Sequence, residues 1–157
     1  MHGPCIFSCI TLIGTVSITE DGEGRITGLY LPSSNLPCME DRETDILSEA
    51  AGQLNEYFSG KRRSFDLPLS YQGSEFRTAV LESLMRIPYG EVCTYAQVAE
   101  DVGSPRAFRA VGTACAENPI PIIIPCHRVV PSSGGVGNYA GGSSLKRRLI
   151  DFERGNL

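Results

Sequence analysis

The stretch TYAQVAEDVGSPRAFRAVGTACAENP, residues 94–119, predicts two short helices joined by a glycine turn. Thr94 is a typical helix N-cap, and Gly103 supplies the turn after the first helix. Ser104 and Pro105 then predict the cap and the first position of a second helix, which ends before the next proline. Two short helices across a tight turn are typical of a helix-turn-helix. A helical hairpin used only for packing has the same pattern and stays the alternative.

The second predicted helix has a surface suited to nucleic acid. Arg106 and Arg109 stand one turn apart on it, while Ala107, Ala110 and Gly112 leave much of the surface short. A helix with small side chains can approach a groove closely, and its arginines can pair with phosphates or insert beside bases. These two features favour DNA binding over packing.

A basic cluster, KRR at residues 146–148, is predicted to begin the last helix and to add phosphate contacts. A solvated helix face explains this cluster equally well. The formal net charge of −4 argues against a protein-wide electrostatic attraction to nucleic acid. A nucleic-acid partner therefore requires a local basic face.

Beyond the paired helices, IIIPCHRVV at residues 122–130 places Cys126 beside His127 in an apolar segment. A thiol becomes a good nucleophile when a base or a positive neighbour stabilises the thiolate. Adjacent side chains on an extended backbone point to opposite faces, so the pair needs either a turn or a bridging water. A carboxylate that orients the imidazole would complete a triad, and Glu153 and Glu117 are the candidates.

Ordinary packing is the alternative for this segment, because a buried cysteine beside a histidine in an apolar run most often belongs to the core. Cys93 and Cys115 lie on or beside predicted helices and have no histidine neighbour, so both are interpreted as core thiols. Pattern alone therefore leaves catalysis and packing open at Cys126.

Residues 5–18 are rich in β-branched residues. Residues 5–18 and 25–32 predict an antiparallel hairpin, and residues 62–69 alternate like a third strand. Between them, helical spacing begins at Asp45 and stops at Gly60.

These patterns predict an α+β fold with two domains. Residues 1–72 would form a small three-stranded antiparallel sheet with one helix. Residues 73–157 would form a mostly helical domain that begins with a helix capped by Ser74 and contains the helix-turn-helix.

The composition excludes several classes of protein. Among the 157 residues there is no apolar run near the roughly 20 that a membrane span needs, and the first residues lack the pattern of a signal peptide. We therefore expect an intracellular protein, cytoplasmic or, in a eukaryote, nuclear. The six scattered cysteines are expected to be reduced. A zinc site is not favoured, because no pair of CxxC knuckles accompanies its candidate ligands, His2, Cys5, Cys9 and Cys38.

The ordered motifs around Cys126 resemble those of the O6-alkylguanine-DNA alkyltransferases, also called methylated-DNA–protein-cysteine methyltransferases. The resemblance is carried by RAVGTACAENPIP, IPCHRVV and SSGGVGNYAGG. It extends through IPYGEVCTYAQVAEDVGSPRAFRAVG back to YFSGKRRSFDLPL and so covers nearly all of residues 54–155. The N-terminal hairpin agrees only in outline.

The resemblance implies that the protein moves the alkyl group of O6-alkylguanine irreversibly onto Cys126, once per molecule. It implies that His127 acts through a water to deprotonate Cys126, and that Glu153 orients His127. It implies that Asn118 braces the active-site turn, and that Tyr95 donates to the departing guanine. No cofactor is implied, and no nucleotide-cradling glycine motif is present.

The resemblance further implies a monomer that binds double-stranded DNA through the minor groove and flips the damaged base into a pocket. Arg109 would enter the base stack in place of the extruded nucleotide. The remaining residues implied to contact substrate or DNA are Arg106, Ala107, Ala110, Gly112, Pro121, Arg128, Val136, Gly137 and Tyr139.

One departure from the family pattern is Phe108, which lies among small residues on the predicted DNA-facing helix. Its helical spacing with Val111 and Cys115 predicts that it points inward.

Two other functions are compatible with parts of the pattern. The first is a helix-turn-helix lesion sensor or regulator that binds without catalysis, in which Cys126 and His127 are structural. The second is a thiol hydrolase, which ranks last because the sequence has no identifiable oxyanion motif.

Overall fold

The chain divides into two units, Met1–Tyr71 and Gln72–Leu157, in a computed structural model that describes residues 2–157. Each unit has buried apolar residues of its own. The α+β fold predicted from the sequence is confirmed. Among the described residues, no helix is both long enough and apolar enough to cross a bilayer.

The N-terminal unit contains a four-stranded sheet in the order β3-β2-β1-β4. The first three strands are antiparallel, and the short β4 runs parallel to β1. Their bounds are β1 (Cys5–Thr11), β2 (Gly14–Glu20), β3 (Ile26–Tyr30) and β4 (Glu40–Asp41).

Two details of the predicted sheet were wrong. Residues 5–18 form not one strand but parts of β1 and β2, because the chain reverses before Gly14, whose φ of +113° suits glycine. Residues 62–69 do not form a strand. The Gln53 side chain bonds both backbone groups of Asp66, at 3.0 and 2.9 Å, and Leu69 forms a single parallel bridge with Ile26. β3 is the third strand instead.

The helix predicted from Asp45 is confirmed as α1 (Asp45–Phe58). The Thr44 hydroxyl accepts a hydrogen bond from the backbone N–H of Leu47 at its start. After the helix, Gly60 adopts a φ of +79°. The buried face of α1 contacts β1 and β2.

The C-terminal unit is mostly helical, and its predicted caps are confirmed for two helices. The hydroxyls of Ser74 and Thr94 each accept a hydrogen bond from the backbone three residues on, and Gln97 completes a capping box with Thr94. The helices are α2 (Glu75–Met85), α3 (Tyr95–Asp101), α4 (Phe108–Ala116) and α5 (Ser143–Gly155). Two short strands, β5 (Cys93–Thr94) and β6 (Val129–Val130), pair in parallel.

Helices α3 and α4 lie at the predicted helix-turn-helix, with Gly103 at a φ of +79° in the turn. The predicted start of the second helix was wrong. Ser104 and Pro105 belong to a turn closed by a hydrogen bond from Ala107 N to Ser104 O at 2.8 Å, and α4 begins at Phe108 without a side-chain cap. Arg106 therefore precedes α4 and does not lie on it.

Candidate active site

Cys126 begins a single turn of 3-10 helix, Cys126–Arg128, immediately before β6. Its thiol is 4% exposed and lines a cavity of about 810 Å³, which lies entirely within the C-terminal unit. The backbone N–H of Cys126 donates to Ile124 O at 2.8 Å. A nearly buried thiol thus faces a cavity large enough for a nucleobase-sized ligand.

The 3-10 turn places the side chains of Cys126 and His127, which are adjacent in the sequence, in different surroundings. His127 is fully buried, and its Nε2 lies 2.7 Å from Glu153 Oε2 on α5. Glu117, the other candidate carboxylate, is exposed and interacts with Arg77. Of the two candidates, only Glu153 therefore orients the imidazole.

Glu153 is a buried junction of charged and polar groups. Besides His127, its carboxylate accepts hydrogen bonds from Arg128 Nε and Nη2, both at 2.9 Å, and from the backbone N–H of Gly90 at 3.1 Å. Burial alone raises the pKa of the Glu153 carboxyl, but the hydrogen bonds from His127 and Arg128 hold that pKa well below its usual range. The carboxylate is therefore ionised at neutral pH.

Arg128 is directed into the protein interior, so its predicted role as a direct substrate or DNA contact is corrected. The side chain is buried, and its Nη1 donates to Ile87 O at 2.8 Å while its other nitrogens bind Glu153. A buried guanidinium with both a carboxylate and a carbonyl as acceptors is satisfied internally.

The protonation of His127 follows from its partner. Because an ionised carboxylate only accepts, Nε2 carries the proton, and Nδ1 keeps a lone pair. Burial lowers the pKa of His127, against the opposing effect of Glu153. Nδ1 is buried and has no hydrogen-bond partner among the described residues. A neutral imidazole with a free acceptor nitrogen has the form required of a general base.

Cys126 has an environment that opposes thiolate formation and two groups that support it. Burial raises the pKa of the Cys126 thiol, while a side-chain hydrogen bond from Asn118 and the charge of Lys146 act in the other direction. The thiol therefore depends on a base and on nearby positive charge to react.

Asn118 braces the segment that leads to Cys126. Its Nδ2 donates to Ile124 O at 2.8 Å, and its Oδ1 accepts from Ile120 N at 3.0 Å. Between these two contacts, Ile122 adopts a φ of +74°, which is strained for a β-branched residue. The amide side chain thus stabilises a backbone conformation that the local sequence disfavours.

Lys146 belongs to the site, and its predicted contact with phosphate was wrong. It lies inside α5 and is 1% exposed, so it cannot serve as the predicted phosphate contact; Arg147 and Arg148 are exposed. Its Nζ donates to Tyr95 Oη at 3.3 Å and to Asn138 O at 3.2 Å. The KRR triplet gave no signal for this, because the orientation of Lys146 depends on packing between α5 and distant loops.

Tyr95 follows the cap of α3 and lines the cavity. Burial, with smaller effects from Cys115 and Cys126, raises its pKa to about 12. Since an ammonium group only donates, Lys146 occupies a lone pair of the Tyr95 oxygen and leaves its O–H free to donate. Tyr95 is thus a neutral donor facing the cavity.

The loop before α5 forms another part of the wall, close to the Tyr95 hydroxyl. Gly137 and Tyr139 line the cavity as predicted, and the Tyr139 hydroxyl has no hydrogen-bond partner among the described residues. Pro121 and Val136 are not among its lining residues, and Pro121 is buried beside Ile124. The pocket roles of these two residues therefore stay predictions.

The α4 wall carries further residues. Gly112 and Arg109 line the cavity, and Arg109 is exposed. Ala110 is also exposed on this helix, whereas Ala107 lies just before it and is half-buried. Cys115, predicted to be a core thiol, lines the cavity instead.

The cysteines provide no evidence of a metal site. All six are unpaired thiols, and no group of three or more His, Cys, Asp or Glu within residues 2–157 is arranged to hold a metal ion.

We expect the free energy of unfolding to decrease as the pH falls below about 6.5. The folded-state pKa of His127 is lowered, so its stabilising contribution is present above the unfolded pKa and is lost as the pH falls toward the folded one. Glu153, whose pKa is also lowered, adds a second loss below about pH 4.3. Urea unfolding followed by circular dichroism between pH 8 and pH 2 covers both losses.

His127→Gln is the matched variant for this measurement. It should remove the first loss, which is at most about 1.4 kcal/mol per pH unit for one proton, and keep the second. An unchanged slope between pH 7 and 5 in His127→Gln would contradict the assignment.

Both units match described protein families. Residues 10–71 match "6-O-methylguanine DNA methyltransferase, ribonuclease-like domain", and residues 75–155 match "6-O-methylguanine DNA methyltransferase, DNA binding domain". The chain is 43% identical over 152 residues to the constitutive methylated-DNA–protein-cysteine methyltransferase of Bacillus subtilis, covering 92% of each chain. It is 52% identical over 109 residues to the methylated-DNA–protein-cysteine methyltransferase of Methanosarcina barkeri, covering 69% of each.

A solved structure agrees with these sequence matches. The crystal structure of Mycobacterium tuberculosis OGT in complex with DNA superposes with a TM-score of 0.90 at 35% identity, covering 98% of this chain and 94% of that one. Matches over both units make the chain a member of the 6-O-methylguanine DNA methyltransferase family.

Proposed function

We propose that this protein repairs O6-alkylguanine in double-stranded DNA by transferring the alkyl group to its own Cys126. The observation that carries the proposal is the thiol itself, which lies in the cavity next to a buried His127–Glu153 pair. Family membership supports the same reaction.

The proton of the Cys126 thiol leaves through His127. Nδ1 is the free acceptor of the imidazole, and a bridging water would carry the proton to it from the sulfur, because the two side chains do not form a direct hydrogen bond. Glu153 then stabilises the imidazolium that forms. Lys146 and Asn118 also support the thiolate, because both lower the pKa of Cys126.

The thiolate attacks the alkyl carbon of the flipped base. The sulfur–carbon bond forms while the carbon–O6 bond breaks, and the electron pair of the broken bond stays with guanine. Tyr95 donates to the base as this negative charge develops, and Lys146 keeps its hydroxyl in that orientation. The product is a thioether, which offers water no carbonyl to attack, so each molecule reacts once.

DNA would be bound through the minor groove by the helix-turn-helix of α3 and α4. Arg109, exposed at the cavity beside small residues, would replace the extruded nucleotide in the base stack. Base flipping costs a few kcal/mol, which local contacts can offset, so an acidic net charge is tolerated. The protein would act as a monomer.

The first test is mass spectrometry of the intact protein and its peptides after mixing with a duplex that carries one O6-methylguanine. We expect one added methyl group, on the peptide that contains Cys126, at one equivalent and no more. Cys126→Ala should bind the lesion without transfer. Lesion binding by the unaltered chain with no added mass would favour the lesion sensor, and repeated turnover on an ester would favour the hydrolase.

Lys146→Met should slow transfer from free O6-benzylguanine about tenfold to a hundredfold, because a charge-assisted contact in a buried site is lost. Since Lys146 lowers the pKa of Cys126, its removal raises that pKa, and the rising limb of the pH–rate profile should move to higher pH. Arg147→Met, at the next and exposed position, is the control and should match the parent profile. A slower Lys146→Met with an unshifted profile would contradict the role.

Arg109→Ala should slow repair of duplex DNA about tenfold or more and leave the reaction with free O6-benzylguanine nearly unchanged, because only the duplex needs its stack filled. Arg106→Ala is the comparison, since Arg106 lies in the turn before α4. If Arg106 contacts a phosphate, Arg106→Ala should weaken binding evenly across DNA sequences. It should also lower the slope of log K against log salt concentration by about one. Equal losses for Arg109→Ala on both substrates would rule out the stack-filling role.

A further inference from the structure

Phe108 points outward, contrary to the inward position predicted from its spacing with Val111 and Cys115. It is 48% exposed, and Val111 is fully buried. The reason is the late start of α4: Phe108 is its first residue, so no preceding helical turn covers the ring. A large apolar side chain is thus exposed beside Arg109.

The Phe108 ring belongs to a stripe of residues along one face of α4. Phe108, Gly112 and Cys115 are spaced four and three residues apart, so they lie on one face of the helix, and all three line the cavity. Cys115 lies at the inner end of this stripe, near Cys126. Burial raises the pKa of Cys115 to about 12, and the charge of the nearby Cys126 contributes a smaller part of that increase. Phe108 lies at the other, exposed end, which is the mouth.

The ring is not covered by its neighbours on the stripe. Gly112, one turn further along, has no side chain that could pack on the Phe108 ring. Side chains on a helix lean toward its N-terminus, which directs the ring away from Cys115. Ala107 and Ala110 on either side are short. The ring is therefore about half exposed between short side chains, next to the exposed Arg109.

We propose that Phe108 is an apolar wedge that inserts at the base step next to the flipped nucleotide and, together with Arg109, keeps the stack open. This inference rests on the proposed DNA-repair function. A flat aromatic ring can stack on any base, and phenylalanine is among the side chains that unstack minor-groove steps. Phe108 acts on the DNA around the lesion and has no part in the transfer step, so it is a positioning residue.

The experiment compares single-turnover transfer rates on three substrates: a duplex with paired O6-methylguanine, a duplex with the same lesion inside a mismatched bubble, and free O6-benzylguanine. The variants are Phe108→Ala and Phe108→Leu. Met85→Ala is the control, because Met85 is an exposed apolar residue at the end of α2 that does not line the cavity. Thermal unfolding verifies that each variant is folded.

Phe108→Ala should be about tenfold slower on the paired duplex, close to the parent in the bubble, where the stack is already open, and unchanged on the free base. Phe108→Leu should recover most of the paired-duplex rate, since leucine also acts as a wedge. Met85→Ala should match the parent on all three substrates.

Three results would overturn the inference. These are no loss with Phe108→Ala on the paired duplex, an equal loss in the bubble, and an equal loss on the free base, which would make the ring part of the pocket wall. If the unaltered chain transfers no alkyl group from any substrate, the proposed function itself fails and this inference with it.

Discussion

The geometry of the site depends on one buried carboxylate. Glu153 on α5 holds His127 and Arg128 at the 3-10 turn and the backbone of Gly90 after α2. Removing a partner from such a buried group leaves an uncompensated charge, which costs about 3–5 kcal/mol. Stability and reactivity therefore depend on the same carboxylate, because the contacts that hold the turn together also fix the tautomer of the base.

The buried site disfavours ionisation of the Cys126 thiol. Burial opposes the charged form of Cys126, and Asn118, Lys146 and the backbone N–H of Cys126 compensate in part. Lys146 itself is nearly inaccessible, and burial lowers its pKa. The Lys146 ammonium thus acts on both Cys126 and Tyr95, in a medium where charges interact more strongly than in water.

Local signals predicted much of this molecule, and long-range packing accounts for what they missed. The caps at Ser74 and Thr94 act within one turn, so the sequence alone located those helices. The pairing of His127 with Glu153 spans 26 residues and came from the family resemblance, since spacing left Glu117 open. Lys146 was misplaced because a basic triplet has no pattern that tells a buried ammonium from a solvated one.

The depth of Cys126 also determines what the protein ignores. Cys38 is exposed and Cys9 is half-buried, so electrophiles dissolved in the surrounding solution meet those thiols first. Cys126 meets only what enters the cavity, in the orientation that the cavity imposes. Chemoselectivity is thus achieved by access rather than by acidity: the sulfur is reserved for an alkyl carbon that a base carries into the cavity.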